Sequence, residues 1–225
     1  MAVTKLEITS RRRYFDGRSF GDVGPYEDVR GTIHFAVDPA HAANRAVVDL
    51  DKAPRDGEGR VTFKGDFRLF TPADPNKANR RLLFEVVNRG RQRMPFSMSP
   101  ADPEPTDLAH PGDGFLMRRG WTVAWCGWEW DVIDDPALIA LDAPQALGPD
   151  GQPIQGEVLI QLQPNEQSPY FYLSHESLHP RPGLSRFFQR KPYPAADLDD
   201  PTARLTVRDS DDGERRDVPR STWRF

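Results

Sequence analysis

Four stretches of this sequence contain residue types at spacings that could do chemistry. Residues 17–21 read GRSFG, a formal G-x-S-x-G, in which Ser19 would be the nucleophile of a serine hydrolase. Residues 175–179 read HESLH, formally H-E-x-x-H. In that pattern His175 and His179 share a helical face and bind zinc, with Glu176 as general base. Asn88, Arg89, Gly90 and Arg91 follow the apolar run LLFEVV, where backbone N–H groups beside a glycine can meet a developing oxyanion. Trp128, Glu129, Trp130 and Asp131 interleave aromatic and acidic side chains, a composition suited to the wall of a cleft at a sheet edge.

Flanking sequence argues against both the serine motif and the zinc motif. An elbow serine sits on a tight turn between a buried strand and a helix. Upstream of GRSFG is SRRRYFD, and downstream DVGPYED puts Gly24 and Pro25 where the helix would begin. Ser19 therefore reads as part of a turn, with Gly17 and Gly21 as turn residues and Phe15 and Phe20 as apolar anchors. HESLH runs directly into PRPG, so Pro180 and Pro182 stop any helix before a third ligand could follow. It reads as a short helix or solvated turn, and no metal or other cofactor is expected.

Composition narrows the classes further. The 225 residues include 22 Pro, about twice the usual ~5%, and 37% hydrophobic residues. Many turns and few long helices follow, while 13 Phe, 5 Trp and 5 Tyr still supply a core. Net charge is −4 with both signs interspersed, so no nucleic-acid footprint is present. Arg11-Arg12-Arg13 reads as a solvated patch. Cys126 is the single cysteine, which excludes an intrachain disulfide, and its apolar neighbours make it a buried, inert thiol. No run approaches the ~20 apolar residues of a transmembrane helix, and MAVTKLEITSRRR has no apolar leader core. No membrane partner and a cytoplasmic location are the expectation.

The elements that would position these groups fall into three parts. Residues 1–80 alternate as strands at Val3–Ile8, Thr32–Val37, Ala46–Leu50 and Arg60–Phe70, the last with Gly65 at a possible bulge. From 81 to 145 the pattern changes. LLFEVV (Leu82–Val87) reads as a strand buried on both faces. A long polar loop follows, then a short helix over Gly114–Arg119, capped by Asp113 and closed by Gly120, then a buried strand at Trp121–Trp125. Strand, crossover and strand in this order predict a parallel pair. Glu85, inside the first strand, would be costly as an unpaired charge and is expected to pair with Arg89 or Arg118. Residues 146–225 are Pro-rich, with strand candidates at Ile154–Gln163, Tyr170–Leu173 and Leu205–Val207. The three parts are read as one incomplete domain.

FDGRSFGDVGPYEDVRGTIHFAVDP, VVDLDKAPRD, LLFEVVNRGR, GDGFLMRRGWTVAWCGWEWD and the closing DVPRSTWRF resemble the N-terminal half of the bacterial "alpha/beta hydrolase domain" proteins. These are relatives of serine hydrolases, and the likeness runs over most of residues 14–225. The resemblance implies an α/β, β-rich fold: the N-terminal part of an α/β-hydrolase-like core with extra antiparallel strands and few short helices. It also implies that the catalytic serine, acid and histidine lie beyond Phe225, so that this chain is a truncation, or its remainder comes from another chain. Alone, the chain would be an inactive scaffold with the oxyanion-side loop at Asn88–Arg91. A small ester-type substrate would bind only in the assembled hydrolase. Two other readings stand beside it: a self-standing β-rich ligand- or protein-binding module with a cleft around Trp121–Trp130, and a zinc peptidase using His175, Glu176 and His179.

Overall fold

The computed structural model describes residues 2–98, 109–162, 169–170 and 190–225. The protein is β-rich, with 32% strand, a mixed sheet and few helices. Residues Met1–Pro192 and Tyr193–Phe225 form two compact units.

The first unit is built on β1 (Ala2–Arg13), β2 (Tyr26–Val37) and β3 (Val61–Pro72), three twelve-residue strands joined antiparallel. β4 (Leu82–Val86) and β5 (Thr122–Cys126) are parallel, and β5 lies between β3 and β4. The sheet order is thus β1-β2-β3-β5-β4, with the two-residue β6 (Leu141–Asp142) also pairing β3. Between β4 and β5 the chain forms α1 (Met94–Met98) and α2 (Phe115–Arg118). The expected parallel pair is present.

Local sequence explains the crossover. Asp113 accepts a hydrogen bond from the Phe115 N–H at 2.9 Å. Gly120, at φ +70°, ends α2, with its N–H on Met117 O and the Trp121 N–H on Leu116 O. Those two bonds are the glycine-closed helix end. Leu116 and Met117 then pack against Tyr26, Phe70, Val123 and Trp125, all fully or almost fully buried. The Tyr26 hydroxyl ties the layers together, shared between the carbonyls of Met117 (3.1 Å) and Trp121 (3.0 Å), and burial pushes its pKa up.

Four sequence expectations are corrected. Ala46–Leu50 is a series of turns, with Asp49 at φ +58° and Val48 exposed. Ile154–162 is likewise irregular, with Val158 and Leu159 exposed. Both have strand-like composition but, among the described residues, no partner ladder, and a strand forms only where its backbone groups are paired. Gly65 lies in regular register with Ile33, and the bulges fall in β1, where Thr4 and Thr9 are the extra residues. Gly65 is needed for close approach: a Cβ there would stand 3.0 Å from the Gly127 carbonyl. LLFEVV is buried on one face only, since Leu82, Phe84 and Val86 are more than half exposed. β4 is the last strand of the sheet.

The second unit carries β7 (Thr206–Val207) paired with β8 (Arg216–Asp217). Its aromatic nucleus is Trp223 edge-on to Phe225, with Arg220 4.2 Å from the indole.

Candidate functional site

The C-terminal ends of β4 and β5 lie side by side, and the parallel register controls what meets there. Glu85 pairs with Trp125 in the ladder, so four residues further out on each strand Arg89 comes opposite Glu129. Asn88 and Arg91 bridge across a two-residue turn with Arg89 at φ +53° and Gly90 at φ +73°. Positive φ at both central positions is the type I′ geometry that glycine tolerates best. Gly90 is doubly required: a Cβ would stand 2.6 Å from the Ile139 carbonyl and 2.9 Å from Val132 Cγ1.

Arg89 is not a glycine, and a left-handed non-glycine residue costs on the order of 1–3 kcal/mol unless its surroundings hold it there. Here the holding groups are acidic. The Arg89 backbone N–H donates to one Glu129 carboxylate oxygen, and its guanidinium Nη1 reaches the other at 2.7 Å. The same Nη1 lies 2.9 Å from Asp131 Oδ1. Both carboxylates are mostly buried, so these are charge-assisted bonds shielded from water. The turn therefore already binds an anionic oxygen, supplied by the protein itself.

A second polar cluster fixes the turn from beneath. Arg68 on β3 makes a two-pronged pair with Asp28 on β2, at 2.9 and 2.8 Å. Its third donor, Nη1, reaches Gln92 Oε1 at 2.7 Å, and the Gln92 amide donates to the carbonyls of Gly90 (2.7 Å) and Ala137 (3.0 Å). Gln92 is 2% exposed, and both its oxygen and its nitrogen are satisfied. Arg30 adds a longer contact to Asp28, 3.2 Å, and bonds the Pro136 carbonyl. Arg91 is buried beside this cluster, its Nε on the Asn88 carbonyl at 2.9 Å. Burial lowers the Arg91 pKa, assisted by Arg93 and opposed by Glu129.

Glu85 has a different partner set from the one its sequence suggests. It accepts from the backbone N–H groups of Arg93 and Met94, at the start of α1, and from the Trp125 indole. The helix start and the indole replace the expected Arg89 or Arg118, because Arg89 is held by Glu129 and Arg118 by Asp113.

The four residues read as a cleft wall divide into separate roles. Glu129 and Asp131 hold the turn, and Trp128 ties its indole N–H to the Val87 carbonyl. Trp130 alone lines a groove of about 410 Å³, together with Thr32, Lys64, Asp66, Leu141 and Lys191. The two lysines are paired there, Lys64 with Asp142 at 3.4 Å and Lys191 with Asp134 at 2.9 Å.

No protein family, curated protein or solved structure matches the chain.

Ser19 is exposed and bridges Pro25 in a turn, with Phe20 buried beside it. No base or orienting group is recorded on its hydroxyl among the described residues. Cys126 is half-buried, its pKa raised by burial and by the charge of Asp66. His175, Glu176 and His179 lie outside the described residues, among which no cluster of three or more His, Cys, Asp or Glu could hold a metal ion.

Asp28, Arg68 and Gln92 escape motif reading altogether. The available signal is a charge inside each of two strands, at positions where the neighbouring alternation is apolar. A buried charge on a strand demands a counter-charge on the next.

Proposed function

We propose that the chain is the N-terminal scaffold of a serine-type, esterase-like α/β hydrolase, supplying the sheet and the oxyanion-side turn but no nucleophile. The observation that carries this reading is the turn at Arg89–Gly90. It follows the first strand of a parallel pair, precedes the crossover, and has a backbone N–H already bonded to a carboxylate oxygen. Hydrolases of this class take one oxyanion donor from the loop at this place in the chain. In the assembled enzyme, attack of the nucleophile on an ester carbonyl would place negative charge on its oxygen. A donor fixed in advance at that position is worth roughly 2.7–4 kcal/mol of barrier. The Glu129 carboxylate stands in for that oxygen in the resting chain and must move aside for the donor to act, while Asp131 keeps hold of the guanidinium.

Two assays test the reading. The chain alone is expected to leave p-nitrophenyl acetate unhydrolysed and to take up no fluorophosphonate. Co-expression with the sequence encoded in frame after Phe225 is expected to restore both, through a strand–G-x-S-x-G–helix in that sequence. Its absence there, or labelling of the chain alone that Ser19→Ala abolishes, would overturn the proposal.

A binding module is the second reading, favoured by the groove beside Trp130. An indole flanked by lysine–aspartate pairs suits a polar ligand with one flat face. Titration of the Trp130→Phe variant against wild type by intrinsic fluorescence separates this reading from the first.

A further inference from the structure

At the end of the sheet opposite the Arg89 turn, two loops are locked together around Asn79. Its backbone N–H donates to the Gly120 carbonyl (2.9 Å) and its Nδ2 to the Arg119 carbonyl (2.7 Å). Its Oδ1 accepts from the Arg81 N–H at 2.8 Å, and the Arg81 carbonyl accepts from the Thr122 N–H at 3.1 Å. The approach is close: a Cβ on Gly120 would stand 2.7 Å from the Lys77 carbonyl. Segment 77–81 and the end of α2 thus form one surface, and it carries Lys77, Arg80, Arg81, Arg118 and Arg119, all exposed.

Most of this positive charge is unanswered. Arg118 is held by Asp113, and the neighbouring Asp74 accepts from the Asn76 N–H and amide. Lys77, Arg80, Arg81 and Arg119 have no carboxylate partner among the described residues. At the other end of the sheet Lys5, Lys52, Arg60 and Lys64 each have one. Arg80 also stands at φ +60°, a left-handed backbone that glycine or asparagine takes at less cost. Two of the guanidinium groups are already placed: Arg81 lies 5.9 Å from the centre of the Trp121 ring and Arg119 4.0 Å from that of Phe115. Both rings pack against the core cluster. A guanidinium held over a ring keeps its fork of N–H donors and loses less freedom on pairing with a carboxylate.

These features select among anionic partners. Single-stranded nucleic acid is bound by stacking bases on bare aromatic faces, and here each ring has the core on one side and a guanidinium over it. A duplex or an anionic membrane would extend past the patch, across a chain whose net charge is −4, and be repelled there. A short carboxylate-bearing segment covers the patch alone. Arginine and tryptophan are also the residue types that dominate binding between proteins. We infer that Lys77, Arg80, Arg81 and Arg119 form a docking surface for an acidic segment of a partner protein, whose Asp and Glu side chains pair with the guanidinium groups. This goes beyond the hydrolase reading and needs none of its chemistry.

Titration of a fluorescein-labelled twelve-residue peptide of Asp, Glu and Leu with the full chain, followed by anisotropy, tests the inference. Saturable binding is expected, weakening as salt is raised from about 50 to about 200 mM. Arg80→Glu/Arg81→Glu is expected to weaken it by about tenfold or more. Arg12→Glu/Arg13→Glu makes the same change of charge on β1, four strand spacings or roughly 19 Å from β4, and is expected to change binding by less than about twofold. Should the first variant fail to fold by circular dichroism, Lys77→Ala/Arg119→Ala takes its place, with a loss expected in the same direction. Four results would overturn the inference. They are no saturable binding, equal loss in the Arg80/Arg81 and Arg12/Arg13 variants, tighter binding of a twelve-nucleotide oligothymidylate or of phosphatidylserine vesicles, and a self-association of the chain that Arg80→Glu/Arg81→Glu abolishes. None of these readouts depends on ester hydrolysis, so a failure here leaves the hydrolase reading standing.

Discussion

The Arg68 guanidinium lies edge to edge with the Asp28 carboxylate, Nε to Oδ1 at 2.9 Å and Nη2 to Oδ2 at 2.8 Å. Arg68 stands opposite Arg30 in the β2–β3 ladder, and Asp28 is the diagonal neighbour that pairs with both. Through Gln92 the same guanidinium reaches the Gly90 carbonyl, so the strands and the turn share one polar support.

Arg68→Met leaves Asp28 buried without its main partner. Breaking such a pair costs about 3–5 kcal/mol, whereas replacing both partners by apolar groups is often close to neutral. The urea midpoint of Arg68→Met is therefore expected to fall sharply, and that of Asp28→Leu/Arg68→Met to recover most of the loss. A double variant no better than the single would show that the pair is not the source of the effect.

The same pair gives stability an acid limb. Burial alone would raise the Asp28 pKa, but the hydrogen bonds and charge of Arg68, with Arg30, outweigh it and hold the carboxyl below its usual value of 3.8. A folded-state pKa below the unfolded one means that the contribution is complete above about the unfolded value and is lost as pH falls through the folded value. The stability difference between wild type and Asp28→Asn should be constant from pH 7 to 5 and close progressively below pH 3.8. Equilibrium unfolding at stepped pH measures it.

Gly90→Ala meets two obstacles together. The left-handed backbone disfavours any L side chain by roughly 1–2 kcal/mol, and the new methyl would stand 2.6 Å from the Ile139 carbonyl. A loss of at least about 2 kcal/mol in unfolding free energy is expected. By contrast Gly151→Ala, at a similar φ of +73° but in open space, should lose only the conformational part.

Glu129→Ala frees the Arg89 N–H. Its amide hydrogen exchange should accelerate strongly, while Asp131→Ala, which removes only a guanidinium contact, should change it little. Equal acceleration in both would mean that the guanidinium, not the N–H bond, holds the turn.

The crossover was legible because its signals are local. Asp113 before the helix and Gly120 after it mark the boundaries, and the apolar runs on either side mark the strands. The turn at Asn88–Arg91 was legible as a break after an apolar strand, but not as an arrangement of partners. That Glu129 would occupy the Arg89 N–H depends on the register of two strands separated by a crossover. The Asp28–Arg68–Gln92 cluster likewise joins three elements whose pairing no short window contains. AVVDL and residues 154–162 failed for the opposite reason: their composition suits a strand, but among the described residues no strand pairs with them.

The two bulges in β1 carry a consequence for the strand as a written line. Val3, Leu6, Ile8 and Arg11 keep to one side at uneven intervals because Thr4 and Thr9 are inserted without partners. Each threonine fastens its hydroxyl to a β2 carbonyl, Thr4 to His34 and Thr9 to Arg30. They act as punctuation: removing either closes the gap and leaves every other letter in phase. Loss of Glu7, one place further in from neither mark, would instead turn all the letters before it upside down, sending Leu6 to the polar side and Lys5 to the apolar one.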